Sequence, residues 1–143
     1  MEGIEQLAVS FIASAAFAIL FNVPKNTLLQ GGIVGTLGWL LYVGAQQLAF
    51  DPIVSTIAAS FVVAVTSQLF ARIYRTPVIV FHVAGIIPLV PGGLAYDAMR
   101  NVVENQYDQA VQLAAKVCML SGAIAMGLVF SEVINHFLRR GRN

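Results

Sequence analysis

The chain has 143 residues, of which 58% are hydrophobic and only 10% charged, and its mean hydropathy is +0.79. Soluble domains carry roughly 25% charged residues because their surface must be hydrated. Eight Lys+Arg and seven Asp+Glu therefore exclude a soluble enzyme and a disordered chain. A net charge of +1 offers no basic patch to a nucleic acid. The composition predicts a single integral-membrane domain over residues 1–143.

Uncharged stretches divide this domain into segments that can cross a bilayer. A helix needs about 20 residues, at ~1.5 Å per residue, to cross ~30 Å of hydrocarbon. The charge distribution predicts spans at about 4–22, 28–49, 52–72, 77–95 and 109–138. An amphipathic segment is predicted at about 94–108. The expected fold is all-α, a polytopic membrane helix bundle of about five transmembrane helices with a broken fourth helix.

Basic residues predict the orientation of the bundle. With the N-terminus outside and the C-terminus inside, six of the eight basic residues lie on the inner side, as the positive-inside rule requires: Lys25, Arg72, Arg75, Arg139, Arg140 and Arg142. Lys116 is an exception, and we expect it to anchor the outer end of the last span. Glu2 and Glu5 stand where a cleavable signal carries positive charge, so the first span is expected to remain in the membrane.

Small residues recur at helical spacing in three of the spans. They are Gly31, Gly35 and Gly38; Ser60, Ala64, Ser67 and Ala71; and Ala114, Cys118, Ser121 and Ala125. Membrane helices associate through such residues, so each stripe is predicted to be a buried contact face. Cys118 is the only cysteine, and we expect it to be buried as a small hydrophobe. A single cysteine excludes an internal disulfide and a thiolate zinc site, and we expect neither a metal nor a cofactor.

Three of the ionisable residues within predicted spans are candidates for proton coupling. Glu132 follows Ala114 by 18 residues, about five turns at ~3.6 residues each, so it is predicted to face the bundle with the last stripe. His136, one turn further on, lies within reach of it. Glu132 either pairs with His136 or the Arg tail at the inner boundary, or forms a proton-linked pair with His136 at the mouth of a pathway. His82 has either a functional role or a hydrogen bond to a neighbouring helix.

The fourth span contains residues that interrupt a helix. Pro88 and Pro91 lack the backbone N–H and clash with the preceding turn, while Gly92 and Gly93 can adopt dihedrals closed to other residues. Unpaired backbone at this depth must be buried in protein or line a watery cavity. The start of the second half-helix is a site for a carboxylate, with Tyr96 nearby as a hydroxyl donor. The alternative is a purely structural kink.

Two motifs connect the chain with a known family. They are Asn22-Val23-Pro24 and Ile87-Pro88-Leu89-Val90-Pro91-Gly92, the latter followed by Ala95-Tyr96 and Ala98-Met99. With its length and spans, the chain resembles the small integral-membrane subunit of the split threonine/serine exporter family. The resemblance implies export of threonine and serine, or of dicarboxylates such as succinate, with a larger membrane subunit of the same family. It also implies a proton gradient or membrane potential as driving force, in the cytoplasmic (inner) membrane of a prokaryote.

The predicted function is therefore that of a subunit of a secondary transporter. No HExxH, GxSxG or P-loop motif occurs, and an enzyme is not expected. The predicted substrate-binding residues are Pro88, Pro91, Gly92, Gly93, Tyr96, Asn22 and Lys25, and the proton-coupling candidates are Glu132, His82 and His136. Lys25 is alternatively only a positive-inside anchor. The expected partners are the larger subunit, the lipid bilayer or further copies of the chain, and the alternative function is a non-transporting scaffold or assembly subunit.

Overall fold

A computed structural model describes residues 2–141, so that Arg142 of the basic tail lies outside the described residues. The chain forms six α-helices over this range: α1 (Glu2–Leu20), α2 (Leu28–Gln47), α3 (Pro52–Tyr74), α4 (Val78–Ile86), α5 (Gly92–Val103) and α6 (Tyr107–Arg140). Short 3-10 turns precede α2 at Lys25–Thr27 and follow α4 at Ile87–Leu89. Residues 2–141 contain no strand, and the predicted all-α membrane bundle is confirmed.

The helices provide four or five membrane crossings. α1, α2, α3 and α6 are each long and apolar enough to cross a bilayer alone. The α4 and α5 segments qualify only together, and they are bent by 55° at the break between them. α6 has 34 residues and is therefore ~51 Å long, well beyond the ~30 Å of hydrocarbon, so part of it projects from the membrane.

The core of the bundle brings four elements together. α2 packs on α1, α3 and α4, while α3 packs on α4 and α6, and α5 lies along α6. The central hydrophobic cluster consists of Val34, Ala59, Val63, Leu89 and Ile124. Leu89 belongs to the 3-10 turn after α4, so the interruption of the fourth segment lies in the core of the bundle and not at its edge.

Two of the three predicted small-residue stripes are confirmed as contact faces. Gly31, Gly35 and Gly38 of α2 and the Ser/Ala stripe of α3 are all buried. A Cβ added at Gly38 would lie 2.4 Å from Val63 Cγ2, and one added at Gly35 would lie 1.9 Å from Ser14 Oγ. The helices thus approach each other more closely than any larger residue would permit, and dispersion contacts stabilise the pairs in lipid.

The prediction for α6 is wrong about which face is buried. Ala114, Cys118, Ser121 and Ala125 are all exposed, and we call them the open α6 face. The buried side of α6 carries Ala110, Leu120, Ala123, Ile124, Gly127 and Ser131. A Cβ at Gly127 would lie 1.9 Å from Ser60 Oγ of α3. α6 thus carries small residues on two sides. α3 packs tightly against the side with Gly127, and no helix of the described residues packs in this way against the open α6 face.

Four helices end in the same backbone motif. α1, α2, α3 and α5 are each followed by a residue with left-handed backbone: Asn22 (φ 59°), Ala49 (60°), Arg75 (52°) and Asn105 (60°). The N–H of the next residue then bonds five residues back, as Val23 N–H does to the Ala18 carbonyl at 3.0 Å. This satisfies carbonyl groups that would otherwise be left unpaired and reverses the chain within a few residues.

Candidate functional site

The break between α4 and α5 is built from local turns. Pro88 and Pro91 have no N–H to donate, and the regular helical bonding stops there. Val90 N–H instead bonds to the carbonyls of Ile86 (3.2 Å) and Ile87 (3.3 Å), and Gly92 N–H bonds to the Val90 carbonyl at 2.8 Å. The chain therefore turns by 55° at the break while retaining part of its backbone hydrogen bonding.

The break lies at half the depth of the bundle. Leu89 lies in one buried cluster with Val63, near the middle of α3, and a Cβ added at Gly38, near the middle of α2, would lie 3.8 Å from Leu89 Cδ1. Both helices have the length of a membrane span, 20 and 23 residues. Since such helices extend across the whole hydrocarbon layer, a residue that contacts their middle lies near the bilayer midplane.

The start of α5 is open. No side chain caps it, and Gly92 and Gly93 are both exposed. A Cβ at either position would meet no other atom within 4 Å. The first N–H groups of a helix have no acceptor within the helix and carry the positive end of its dipole, so this terminus suits a carboxylate.

Tyr96 lies one turn into α5 and is 68% exposed. Its side chain projects away from the other helices of the chain, so this chain does not enclose Gly92, Gly93 and Tyr96 in a common pocket.

A groove of about 400 Å³ adjoins the break on the side of α1. Its lining combines residues of α1 with one residue of α2 and one of the break: Glu5, Gln6, Val9, Ser10, Ala13, Trp39 and Pro88. The sequence did not predict that the α1 residues and Trp39 line this groove, because they approach Pro88 only when the helices pack together. Gln6 and Ser10, spaced i, i+4 in an apolar span, were the signal available for α1, since uncharged polar residues mark interhelical faces.

A second polar cluster joins α3 and α6. The buried Gln68 side chain donates from Nε2 to Ser131 Oγ at 3.3 Å and to Glu132 Oε2 at 3.2 Å. One turn further on, Arg72 donates from Nη2 to Asn135 Oδ1. A groove of about 180 Å³ follows this pair of helices between the two interactions. Gln68 was missed in the sequence, although a glutamine beside the small-residue stripe of α3 is a signal for an interhelical hydrogen bond.

Glu132 differs from its prediction in two respects. It shares the side of α6 that carries Ala114, as the periodicity indicates, but that side is the open α6 face, so Glu132 is exposed and does not face the bundle. Its hydrogen-bond partner is Gln68 and not His136, which is itself exposed.

His82 lies in α4 on the other side of α3. It is partly buried close to the backbone of Ala64, and its Nε2 atom is buried without a hydrogen-bond partner among the described residues. The preceding Phe81 is fully buried and packs edge-on against Phe70 with ring centroids 6.0 Å apart. Residues 2–141 contain no group of three His, Cys, Asp or Glu side chains that could hold a metal ion.

Asn22 and Lys25 lie at the connection between α1 and α2, and both are exposed. Asn22 adopts the left-handed conformation that ends α1, which gives it a structural role. Lys25 lies before the first residue of α2, Leu28. The break adjoins α2 near Trp39, which lies eleven residues, or ~17 Å, further along the helix. The structure therefore does not bring these two residues to the break.

A comparison with protein families identifies the chain. The family model described as "Threonine/Serine exporter, ThrE" matches residues 6–134. The chain belongs to the threonine/serine exporter family. The match covers most of α1, all of α2 to α5 and α6 as far as Ile134, and so includes the break, Gln68 and Glu132. The protein is thus a multi-pass membrane protein of a transporter family, not of an enzyme family. No solved structure matches the chain.

Proposed function

We propose that this chain is one subunit of a secondary transporter that exports threonine and serine, or a dicarboxylate, with a larger partner subunit. The proposed location of the transporter is the prokaryotic cytoplasmic membrane, with the N-terminus of the chain outside and the C-terminus inside. The observation that carries the proposal is the break between α4 and α5 at half the depth of the bundle. Discontinuous helices at this depth form the substrate sites of many secondary transporters.

The substrate group that this site suits is a carboxylate. Threonine, serine and succinate all carry one, and the uncapped N-terminus of α5 presents a partial positive charge and the N–H groups of Gly93 and Leu94, while Gly92 N–H bonds to the Val90 carbonyl. The two prolines prevent the helix from closing over these groups. Asn22 and Lys25 lie at the inner end of the bundle, where Lys25 would attract the carboxylate towards the pathway.

The larger subunit completes the site. Gly92, Gly93 and Tyr96 are exposed on this chain, as are the open α6 face and the Glu132 carboxylate beside it. Lipid neither packs closely against small residues nor solvates a carboxylate. A second copy in the same orientation, packed through this face, would bring two Glu132 carboxylates together at low dielectric, which is unfavourable. A different chain with a donor or cation opposite Glu132 fits better.

The transport role of the break is tested by counterflow. The chain and its partner are reconstituted in liposomes, and labelled serine, threonine and succinate are followed. Pro91→Ala and Gly92→Leu should each lower the rate at least about tenfold, a cost of ~1.4 kcal/mol. Gly44→Leu is the matched control, since Gly44 also faces open space but lies in the uninterrupted α2. Unchanged export by both break variants in an assembled complex would contradict the proposal.

Proton coupling is proposed for Glu132, with His82 and His136 as the further candidates. Glu132→Gln retains an acceptor for Gln68 but cannot release a proton. We expect counterflow to persist in this variant while net export no longer responds to an imposed pH gradient. An unchanged response to the gradient would exclude Glu132, and the same measurement on His82→Gln and His136→Gln then tests the other two residues.

A scaffold role is the second candidate function, because the open α6 face is suited to assembly whether or not this chain forms the pathway. The two functions differ in the requirement for the chain during transport. If the larger subunit alone transports at the rate of the complex, the chain is a scaffold. If transport needs the chain and fails in the break variants, it forms part of the pathway.

A further inference from the structure

A large groove between α3 and α6 lies away from the break. It has a volume of about 720 Å³ and separates the first turn of α3 from α6: its lining is Asp51, Pro52, Ile53, Gln109, Gln112, Leu113, Lys116, Met119 and Leu120. α3 is a spanning helix that begins at Pro52, so the groove lies at a membrane surface in either orientation of the chain. Neither the break nor the Gln68 cluster contributes to it.

The polar side chains of the groove retain unused hydrogen-bonding capacity. Asp51 caps α3 by accepting from Ile53 N–H at 2.8 Å with Oδ1, which leaves its second oxygen and its charge available. Lys116 lines the same groove, but the ion pair found among residues 2–141 is Arg100–Glu104, so Asp51 and Lys116 do not pair with each other. Two opposite charges therefore face one groove with a gap between them, and Gln109 and Gln112 add amide donors and acceptors.

The apolar lining is arranged in depth. Met119 and Leu120 follow Lys116 by about one helical turn towards the interior of the bundle, and Ile53 lies opposite in α3. Met119 is 53% exposed and available to lipid, whereas Leu120 is buried. Charged groups at the surface above an open apolar wall match an amphiphile with a charged head and a hydrocarbon tail. A free polar metabolite would gain nothing from the apolar wall.

We propose that this groove binds the headgroup of a zwitterionic phospholipid of the ethanolamine type. The phosphate lies at Lys116, which with the glutamine amides supplies donors to it. The ammonium lies at Asp51, and an acyl chain follows Met119. The opposite charges of the groove match the two charges of the headgroup and disfavour a lipid with a net negative charge beside Asp51. This assignment is independent of the proposed transport function.

Lipid retention tests the assignment. The purified full-length chain, with any partner that copurifies, is transferred from bilayers of equal phosphatidylethanolamine and phosphatidylglycerol into detergent, and bound lipids are counted by native mass spectrometry. The wild type should retain phosphatidylethanolamine preferentially. Lys116→Gln should lower retention about fivefold, the effect of one interfacial charge. Lys25→Gln, the matched control at the other end of the bundle, should leave it unchanged, and Lys116→Arg should restore it.

Asp51→Asn tests the ammonium site separately. Asparagine also caps a helix, so α3 keeps its start while the charge is lost. The preference for phosphatidylethanolamine over phosphatidylglycerol should fall, whereas the control Asp97→Asn should keep it. Equal losses in Lys116→Gln and Lys25→Gln, no preference in the wild type, or displacement of the lipid by free serine would each overturn the proposal.

Discussion

α3 and α6 each carry a stripe of small residues, but the two stripes differ in burial. The Ser60, Ala64, Ser67 and Ala71 stripe of α3 is buried, whereas the Ala114, Cys118, Ser121 and Ala125 stripe of α6 is exposed. Both stripes have helical spacing and similar residue sizes. The difference is that α3 lies between α2, α4 and α6, while α6 lies at the edge of the bundle against α3 and α5.

Small residues on a helix therefore indicate that another helix can pack closely against it. They do not indicate whether that helix belongs to the same chain or to a partner. In lipid no hydrophobic driving force distinguishes a covered from an uncovered apolar face, so an uncovered stripe does not prevent the chain from folding. The open α6 face is thus compatible with a stable subunit that has a further binding partner.

The largest effect is expected at Gly127, on the buried side of α6. A Cβ there would lie 2.7 Å from the Ile57 carbonyl oxygen, which cannot move without displacing α3. Gly127→Leu should lower the free energy of unfolding by about 3 kcal/mol, as measured by denaturation in detergent. Gly122→Leu, five residues away in open space, should change it by less than about 0.5 kcal/mol. Equal destabilisation of both variants would show that the two sides of α6 are not different.

A partner-dependent effect is expected on the open α6 face. Ala125→Leu should leave the isolated chain stable but weaken capture of the proposed larger subunit at least about tenfold, equivalent to ~1.4 kcal/mol. Ala16→Leu, the same change at an exposed position of α1, is the control for capture. A spin label on Cys118, the only cysteine, should lose mobility when the larger subunit binds. Unchanged capture by Ala125→Leu would place the partner elsewhere.

The smallest effect is expected at Gln68, between the two helices. Gln68→Leu removes its hydrogen bonds to Ser131 and Glu132 and should cost about 1 kcal/mol of unfolding free energy. Gln47→Leu at the exposed end of α2 is the control and should cost less than about 0.5 kcal/mol. If Gln68→Leu instead raises the free energy of unfolding, the polar cluster does not stabilise the fold, and its role is functional.

Residues whose effect is local were predicted well. Pro88 and Pro91 interrupt the fourth segment because their missing N–H groups and ring clashes act on the adjacent turn, whatever surrounds it. Gly92 and Gly93 instead form the start of α5, and neither has a positive φ. The shared side of Ala114 and Glu132 follows likewise from the helical repeat. The groove beside Pro88 was not predicted, because Glu5 and Trp39 reach it only when α1 and α2 pack on the break. Gln68 was missed for the same reason, since its partners are more than 60 residues away.

The amino-acid sequence is sufficient to predict a helical membrane protein with an interrupted fourth segment, and to predict which residues of each helix share a side. These properties depend on hydrophobic length, backbone chemistry and the helical repeat, all of which act over a few turns. Helix packing, in contrast, determines which side of α6 is covered. It also brings Glu132 to Gln68, and Asp51 and Lys116 to one groove. The helical repeat sets the angles between side chains on one helix, but the position of a neighbouring helix depends on the packing of the whole bundle.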